Sequence, residues 1–181
     1  SFQFVSVVIP VFNERETMET ILERVQKVEI LKELIIVDDG STDGTREWLY
    51  KQFGQASVDP EVSQKESCGL LAGCPQVRVL THQNNQGKGA ALKTGFQYAK
   101  GEIVIVQDAD LEYNPAEYPR LLGPLITDQA DVVYGSRFLG ASAGKWPLVS
   151  YLGNKIFTAL TNAATGLSLM DVWTGYKVFK K

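Results

Sequence analysis

Three short polar clusters carry the residue types that handle charged substrates: Asn13-Glu14, Asp38-Asp39 and Asp108-Ala109-Asp110. Each follows a β-branched apolar run, over residues 4–10, 34–37 and 103–106. Such runs read as buried strands of a parallel sheet. Ligands of such sheets sit at the carboxyl ends of the strands, so the three clusters are expected to converge on one crevice. Five acids at one sheet edge (Glu14, Asp38, Asp39, Asp108 and Asp110) repel one another unless something positive neutralises them. The simplest neutraliser is a divalent cation with its anionic ligand. Hard oxygen donors suit Mg2+ or Mn2+, held partly by substrate phosphates. Asp108 and Asp110 lie two apart, so on an extended chain both face the same way. Helix capping does not explain them, because Asn114-Pro115-Ala116-Glu117 already supplies cap, proline and acid for the next helix. Asp43, by contrast, reads as a helix-start residue.

The elements that must position these residues alternate along the chain. Asn13 to Glu16 has the form of a capping box. Met18, Ile21, Leu22, Val25 and Val28 then repeat at helical spacing. A turn from Asp38 to Gly44 leads to a helix over 45–53. Residues 77–80 form a short strand, and Gly87 opens a helix with Ala91, Leu92, Gly95, Phe96 and Ala99 on one face. Further strands are expected over 132–134 and 172–179, and an amphipathic helix over 148–164. Residues 54–76 show no period and include Cys68 and Cys74; they read as a surface excursion. The pattern implies one α/β domain over 1–181, with a mostly parallel sheet and helices on both faces.

Composition narrows the classes. The chain is 44% hydrophobic and 22% charged, which excludes disorder and fibrous repeats. Residues 141–181 hold five lysines and one acid, a net +4, and residues 1–140 then carry −7. A basic end on an acidic body suggests an anionic contact there, with a solvated lysine face as the plain alternative. Cys68 and Cys74 match no zinc spacing, and read as reduced thiols or a local disulfide. No signal peptide is evident, and the run 7–12 is too short to cross a bilayer. The terminal Ser and Lys residues lead us to expect a fragment, with any membrane anchor beyond the ends. Gln86-Gly87-Lys88-Gly89 fails as a Walker A loop, because His82 and Gly89 stand where Gly and Ser or Thr belong. A hydrolase triad would need His82, the one histidine, and no serine elbow lies near it. Nucleic-acid binding lacks a basic, aromatic-interleaved stripe.

Five motifs occur in order: Val8-Ile9-Pro10-Val11-Phe12-Asn13-Glu14, Ile36 to Gly44 (IVDDGSTDG), Asn85 to Gly89 (NQGKG), Gln107 to Glu112 (QDADLE) and Gly135-Ser136-Arg137-Phe138. On these the chain resembles family 2 glycosyltransferases of the GT-A, Rossmann-like fold, in the branch of dolichyl- and polyprenyl-phosphate sugar synthases. The resemblance implies that Pro10, Phe12 and Glu14 line a nucleoside pocket and that Asp38 and Asp39 reach base or ribose. Lys88 would lie near the nucleotide. Asp108-Ala109-Asp110 would be the DxD motif, with Asp108 near ribose or sugar and Asp110 on Mg2+ or Mn2+. Glu112 would be a second metal ligand, standing where mannose synthases often carry Gln. Arg137 would bind diphosphate or the acceptor phosphate, and residues 171–179 would close the site.

The implied reaction is inverting transfer of a mannose- or glucose-type sugar from a GDP- or UDP-linked donor to a polyprenyl or dolichyl phosphate. Such an acceptor is ionised near neutral pH and needs no strong base. A glycan hydroxyl acceptor is the alternative and would need a carboxylate, for which Asp171 and Glu117 are the candidates. A non-catalytic nucleotide-sugar-binding domain is the third reading. The apolar helix within 145–165, flanked by Trp146 and Lys145, with the basic end, would lie on an anionic membrane surface and offer Lys155 to a lipid phosphate. The implied location is cytoplasmic, at the cytosolic face of a membrane.

Overall fold

The computed structural model describes residues 4–54, 76–136 and 148–181. Arg137, Phe138, Lys145, Trp146, both cysteines and the bulk of the expected excursion lie outside the described residues. Strand β1 (Val5–Val11) leads to α1 (Met18–Gln26), β2 (Lys32–Asp38), α2 (Thr45–Phe53), β3 (Val77–Thr81), α3 (Lys88–Tyr98) and β4 (Ile103–Val106). A 3-10 turn at Pro115–Glu117 enters α4 (Tyr118–Ile126), followed by β5 (Val132–Tyr134), α5 (Leu148–Thr165) and β6 (Lys177–Lys180).

The strands form one sheet in the order β3-β2-β1-β4-β6-β5. The first four run parallel, and β6 pairs antiparallel with both β4 and β5. Side chains alternate across the sheet. Val5, Val7, Ile9 and Val11 pack with α1, α2 and α4 on one face. Val8, Ile35, Val37 and Val104 pack with α3 on the other. The expected two-faced α/β sheet is therefore present. Its order reverses between β1 and β4, and that switch point opens a crevice at the carboxyl ends.

Two local expectations are corrected. The capping box at Asn13 does not form: α1 starts after Thr17, which makes no side-chain cap. Asn13 instead sits at φ +57° with its Oδ1 accepting the Thr42 N–H at 2.8 Å. The strand expected over 172–179 is strand only from Lys177. Ahead of it, Asp171 accepts the Trp173 N–H at 3.2 Å, folding the chain into a turn.

Candidate active site

A cleft of about 270 Å³ lies at the switch point. Register explains its composition. Val8 pairs with Val106 and Val11 with Asp38, so the ends of β1, β2 and β4 meet at one edge. One wall is Pro10, Val11, Phe12 and Glu14, and the other is Asp108, Ala109 and Asp110. Asp39, Asn85, Lys88 and Ala91 complete the lining. Phe12 is 44% exposed, an uncommon position for a large ring that no core claims. The wall carrying it is stapled to the turn after β2. The Asn13 N–H donates to Ser41 Oγ at 2.9 Å and the Glu14 N–H to Thr45 Oγ1 at 3.1 Å.

Asp38 and Asp39 part company, as neighbours at a strand end should. Asp39 lines the cleft, and both its oxygens accept from its surroundings. His82 Nδ1 lies 2.6 Å from Oδ1, and Oδ2 accepts the Gly87 N–H at 2.7 Å. Asp38 turns inward and is fully buried. It accepts from Arg46 Nε at 2.7 Å and from the Ser41 N–H at 3.2 Å. The cleft thus gathers four of the five expected acids. Asp38, expected to reach base or ribose, is not brought in, because its carboxylate is committed to Arg46. Gly40, at φ +82°, makes the turn possible, and a Cβ there would come within 2.5 Å of Asn85 N. Asp43 starts α2 as read: its Oδ1 accepts the Thr45 N–H at 3.0 Å. Burial of Asp43 disfavours its charge, but the Thr45 hydroxyl and the N–H groups of Thr45 and Arg15 outweigh it and hold the carboxyl below its ordinary value.

Asp108 and Asp110 both line the cleft, yet not on an extended chain: β4 ends at Val106 and the backbone bends, with Leu111 at φ +63°. Lys88 Nζ, at the start of α3, lies 2.6 Å from Asp108 Oδ1. Part of the neutralisation expected of a metal is therefore supplied by the protein. Asp110 is exposed, with Oδ1 accepting the Glu112 N–H at 3.0 Å. Glu112 itself is exposed and outside the lining. Lys155, with Nζ 5.7 Å from the Tyr151 ring centroid on α5, also lies outside it.

Sequence reasoning missed the supports behind this wall. Gln107 is fully buried, and its Oε1 accepts from Tyr118 at 2.8 Å and Tyr176 at 3.0 Å. Its Nε2 donates to the Asp108 carbonyl at 2.9 Å. Burial pushes both tyrosine hydroxyls well above their ordinary value. Gly175 packs on the DxD segment: its N–H donates to Tyr113 Oη at 2.6 Å, and a Cβ there would collide with Asp108 Oδ2 and the Tyr113 ring. Asp171 is 1% exposed and accepts from Asn154 Nδ2 of α5 at 2.7 Å. Long-range ties of this kind leave no mark on local spacing. His82 is a second omission. It stands behind Asp39 and not in the cleft, and only the pairing of Asp38 with Thr81 puts residue 82 there.

An open, mostly parallel α/β sheet with acids at its switch point and an Asp-x-Asp after β4 defines the GT-A class of nucleotide-sugar-binding domains. The Glycosyl transferase family 2 profile matches residues 6–181, and the chain belongs to that family. It is 30% identical over 186 residues to an undecaprenyl-phosphate 4-deoxy-4-formamido-L-arabinose transferase of Pseudomonas savastanoi pv. phaseolicola, covering 99% of this chain and 48% of the relative. It is 30% identical over 179 residues to the polyprenol monophosphomannose synthase of Mycolicibacterium smegmatis, covering 97% of this chain and 61% of that protein. The chain thus spans about half the length of the curated relatives it matches. Among solved structures, glucosyl-3-phosphoglycerate synthase from Mycobacterium tuberculosis, in complex with Mn2+, UDP-glucose and phosphoglyceric acid, superposes with a TM-score of 0.63 at 25% identity. That match covers 98% of this chain and 56% of the synthase.

Proposed function

We propose that this domain carries the catalytic site of an inverting glycosyltransferase that moves a hexose from a nucleoside diphosphate sugar to a polyprenyl or dolichyl phosphate at the cytosolic face of a membrane. The observation that carries this is the convergence of Glu14, Asp39, Asp108 and Asp110 with Lys88 in one cleft at the switch point. The relatives named for transfer to polyprenyl phosphates support the acceptor.

Pro10 and Phe12 present an apolar surface to the nucleoside, with Glu14 and Asp39 as polar contacts. Lys88 and the amino end of α3 favour the negative diphosphate. Asp108 faces ribose or sugar, and its pairing with Lys88 keeps the carboxylate oriented before the donor arrives. Arg137 is assigned to the diphosphate or acceptor phosphate on the motif alone, and Lys155 to the acceptor phosphate.

A divalent cation fits the donor set. Among the described residues no three His, Cys, Asp or Glu side chains form a metal cage, while Asp110 is open to solvent. Mg2+ and Mn2+ are commonly held by one or two carboxylates plus substrate phosphates, so Asp110, with Glu112 beside it, suffices. When bound, the ion neutralises charge on the departing nucleoside diphosphate. The turn at Gly175 packs against Asp108 and Tyr113 and so backs that side of the site. Neither candidate base is in place: Asp171 is buried on Asn154, and Glu117 is exposed outside the lining. That favours an acceptor already ionised, a phosphate, over a hydroxyl.

The test is transfer of label from UDP-glucose and GDP-mannose with Mn2+, offering polyprenyl phosphate, an oligosaccharide or a soluble phosphorylated acceptor. Label entering the organic phase, and blocked by EDTA, is the expected result. Label appearing only on a hydroxyl acceptor overturns the assignment of the acceptor. Nucleotide binding without turnover on any acceptor overturns the assignment as an enzyme.

A further inference from the structure

His82 lies outside the cleft lining, yet it grips a residue that lines it. Its Nδ1 is 2.6 Å from Asp39 Oδ1, and its Nε2 is 2.9 Å from Thr94 Oγ1 on α3. Asp39 is 2% exposed. Its carboxylate also accepts the Gln86 N–H at 3.0 Å and the Gly87 N–H at 2.7 Å. A carboxylate offers about four lone-pair directions, so these donors take most of them and fix how the rest point.

The backbone of residue 82 is held in turn. Its N–H donates to the Asp38 carbonyl at 2.8 Å, and its carbonyl accepts from Arg46 Nη2 at 2.5 Å. Arg46 is the same residue that holds Asp38. The adjacent aspartates therefore serve one end: Asp38, through Arg46, anchors residue 82, and residue 82 orients Asp39. Donation to a carboxylate puts the hydrogen on Nδ1, and in the neutral ring the Thr94 hydroxyl then donates to Nε2. The order Thr94–His82–Asp39 copies the connectivity of a hydrolase triad. Thr94 lies within α3 and does not line the cleft, so the chain of bonds has no substrate to act on and works as a tie.

We propose that His82 is a positioning residue for nucleotide binding, holding the Asp39 carboxylate in the orientation that the nucleoside meets. This rests on the reading of the cleft as a nucleotide site. Outer partners that orient metal-binding side chains are commonly worth about 10- to 100-fold in metal affinity or activity, and we take the same scale for a carboxylate that meets a nucleoside. The experiment is calorimetric titration of the chain with UDP and GDP in Mn2+, together with KM and kcat for the sugar donor. His82→Ala is expected to weaken binding and raise KM by about 10-fold or more, while kcat at saturation falls less than about threefold. His82→Asn keeps an N–H donor at the bond count of Nδ1 and is expected to recover affinity to within about threefold of the parent protein. His82→Gln puts its donor at the Nε2 position and is expected not to recover it.

Unchanged affinity in His82→Ala overturns the proposal while leaving the nucleotide site intact. Equal behaviour of the Asn and Gln variants also overturns it, because the residue would then only fill space. Should His82→Ala fail to fold, the Asn and Gln pair still decides. If the parent protein binds neither nucleotide, the reading of the cleft falls, and this proposal with it.

Discussion

Asp108 and Asp110 occupy different environments although they share a motif. Asp108 is half-buried and paired with Lys88, whereas Asp110 is exposed. Removing each charge should therefore have separable effects. If Asp110 holds the cation as proposed, Asp110→Asn is expected to lower turnover by about 100-fold or more, with the melting temperature unchanged. A differential scan beside a donor-hydrolysis assay checks both halves. Gly175→Ala tests the closing turn from the opposite side. Its Cβ has nowhere to go but into the Asp108 carboxylate or the Tyr113 ring, so kcat is expected to fall about tenfold. The control is Gly153→Ala in α5, where a Cβ meets nothing within 4 Å. Equal activity in the two variants would show that the turn does not press on Asp108. At this scale the convergence of Glu14, Asp39, Asp108 and Asp110 on one cleft was legible, since strand-end carboxylates without a cap role stand out. It could not tell Asp38 from Asp39, because their opposite orientation depends on where β2 stops. Nor could it show His82, which matters only through a parallel neighbour some forty residues away in sequence.

Element by element, β1 was legible from its apolar run, α1 from its apolar period and α2 from the turn chemistry ahead of it. Residues 172–176, expected as strand, are turn, and the strand begins only at Lys177. That turn is set by Asp171 bonding to α5 and by Tyr176 burying its ring against Tyr113 and Tyr118 with its hydroxyl on Gln107. Tyr118 and Tyr176 share Gln107 as acceptor, and together they form the floor beneath Asp108. Tyr118→Phe removes one of these hydrogen bonds while Tyr176 still satisfies Gln107 Oε1, so the expected loss is about 1 kcal/mol in a urea melt. The same floor sets an alkaline limit. Burial raises both hydroxyls above the unfolded value of about 10, so the folded chain keeps protons that the unfolded chain releases. Their stabilising contribution is complete below about pH 10 and declines as pH rises further, by up to about 1.4 kcal/mol per pH unit for each tyrosine. Tyrosinate absorbance and loss of ellipticity are therefore expected to share a late step in an alkaline titration. If all the tyrosines ionised near pH 10 with the fold intact, these two hydroxyls would not be sealed as described.

Across the whole molecule, the uneven charge and α5 belong together. Val149, Leu152, Ile156, Phe157 and Leu160 on α5 are all more than half exposed, as are Leu167, Met170 and Trp173 just beyond it. Phe157 and Trp173 stack with ring centroids 5.1 Å apart, so the surface is continuous across helix and turn. An exposed apolar surface of this extent normally marks an interaction site. Among the described residues no helix is long and apolar enough to cross a membrane, so α5 would meet a bilayer lying flat. It falls within residues 141–181, whose net charge is +4, although Lys180 on β6 is paired with Asp128 and Asp131 and only Lys155 of these lysines is on α5 itself. Each basic residue near an anionic leaflet contributes about 1 kcal/mol, screened over about 10 Å at 0.1 M salt. Cosedimentation is therefore expected with vesicles containing phosphatidylserine, weaker with pure phosphatidylcholine, and falling as salt rises. Leu152→Glu with Leu160→Glu is expected to abolish it while leaving nucleotide affinity unchanged, because neither side chain lines the cleft. Binding that survives this double substitution would place the membrane contact elsewhere. Binding indifferent to both salt and lipid charge would remove the electrostatic half of the account. If vesicle binding and nucleotide affinity fell together, α5 would be acting on the cleft through its Asn154–Asp171 tie, and the two surfaces could no longer be treated as independent.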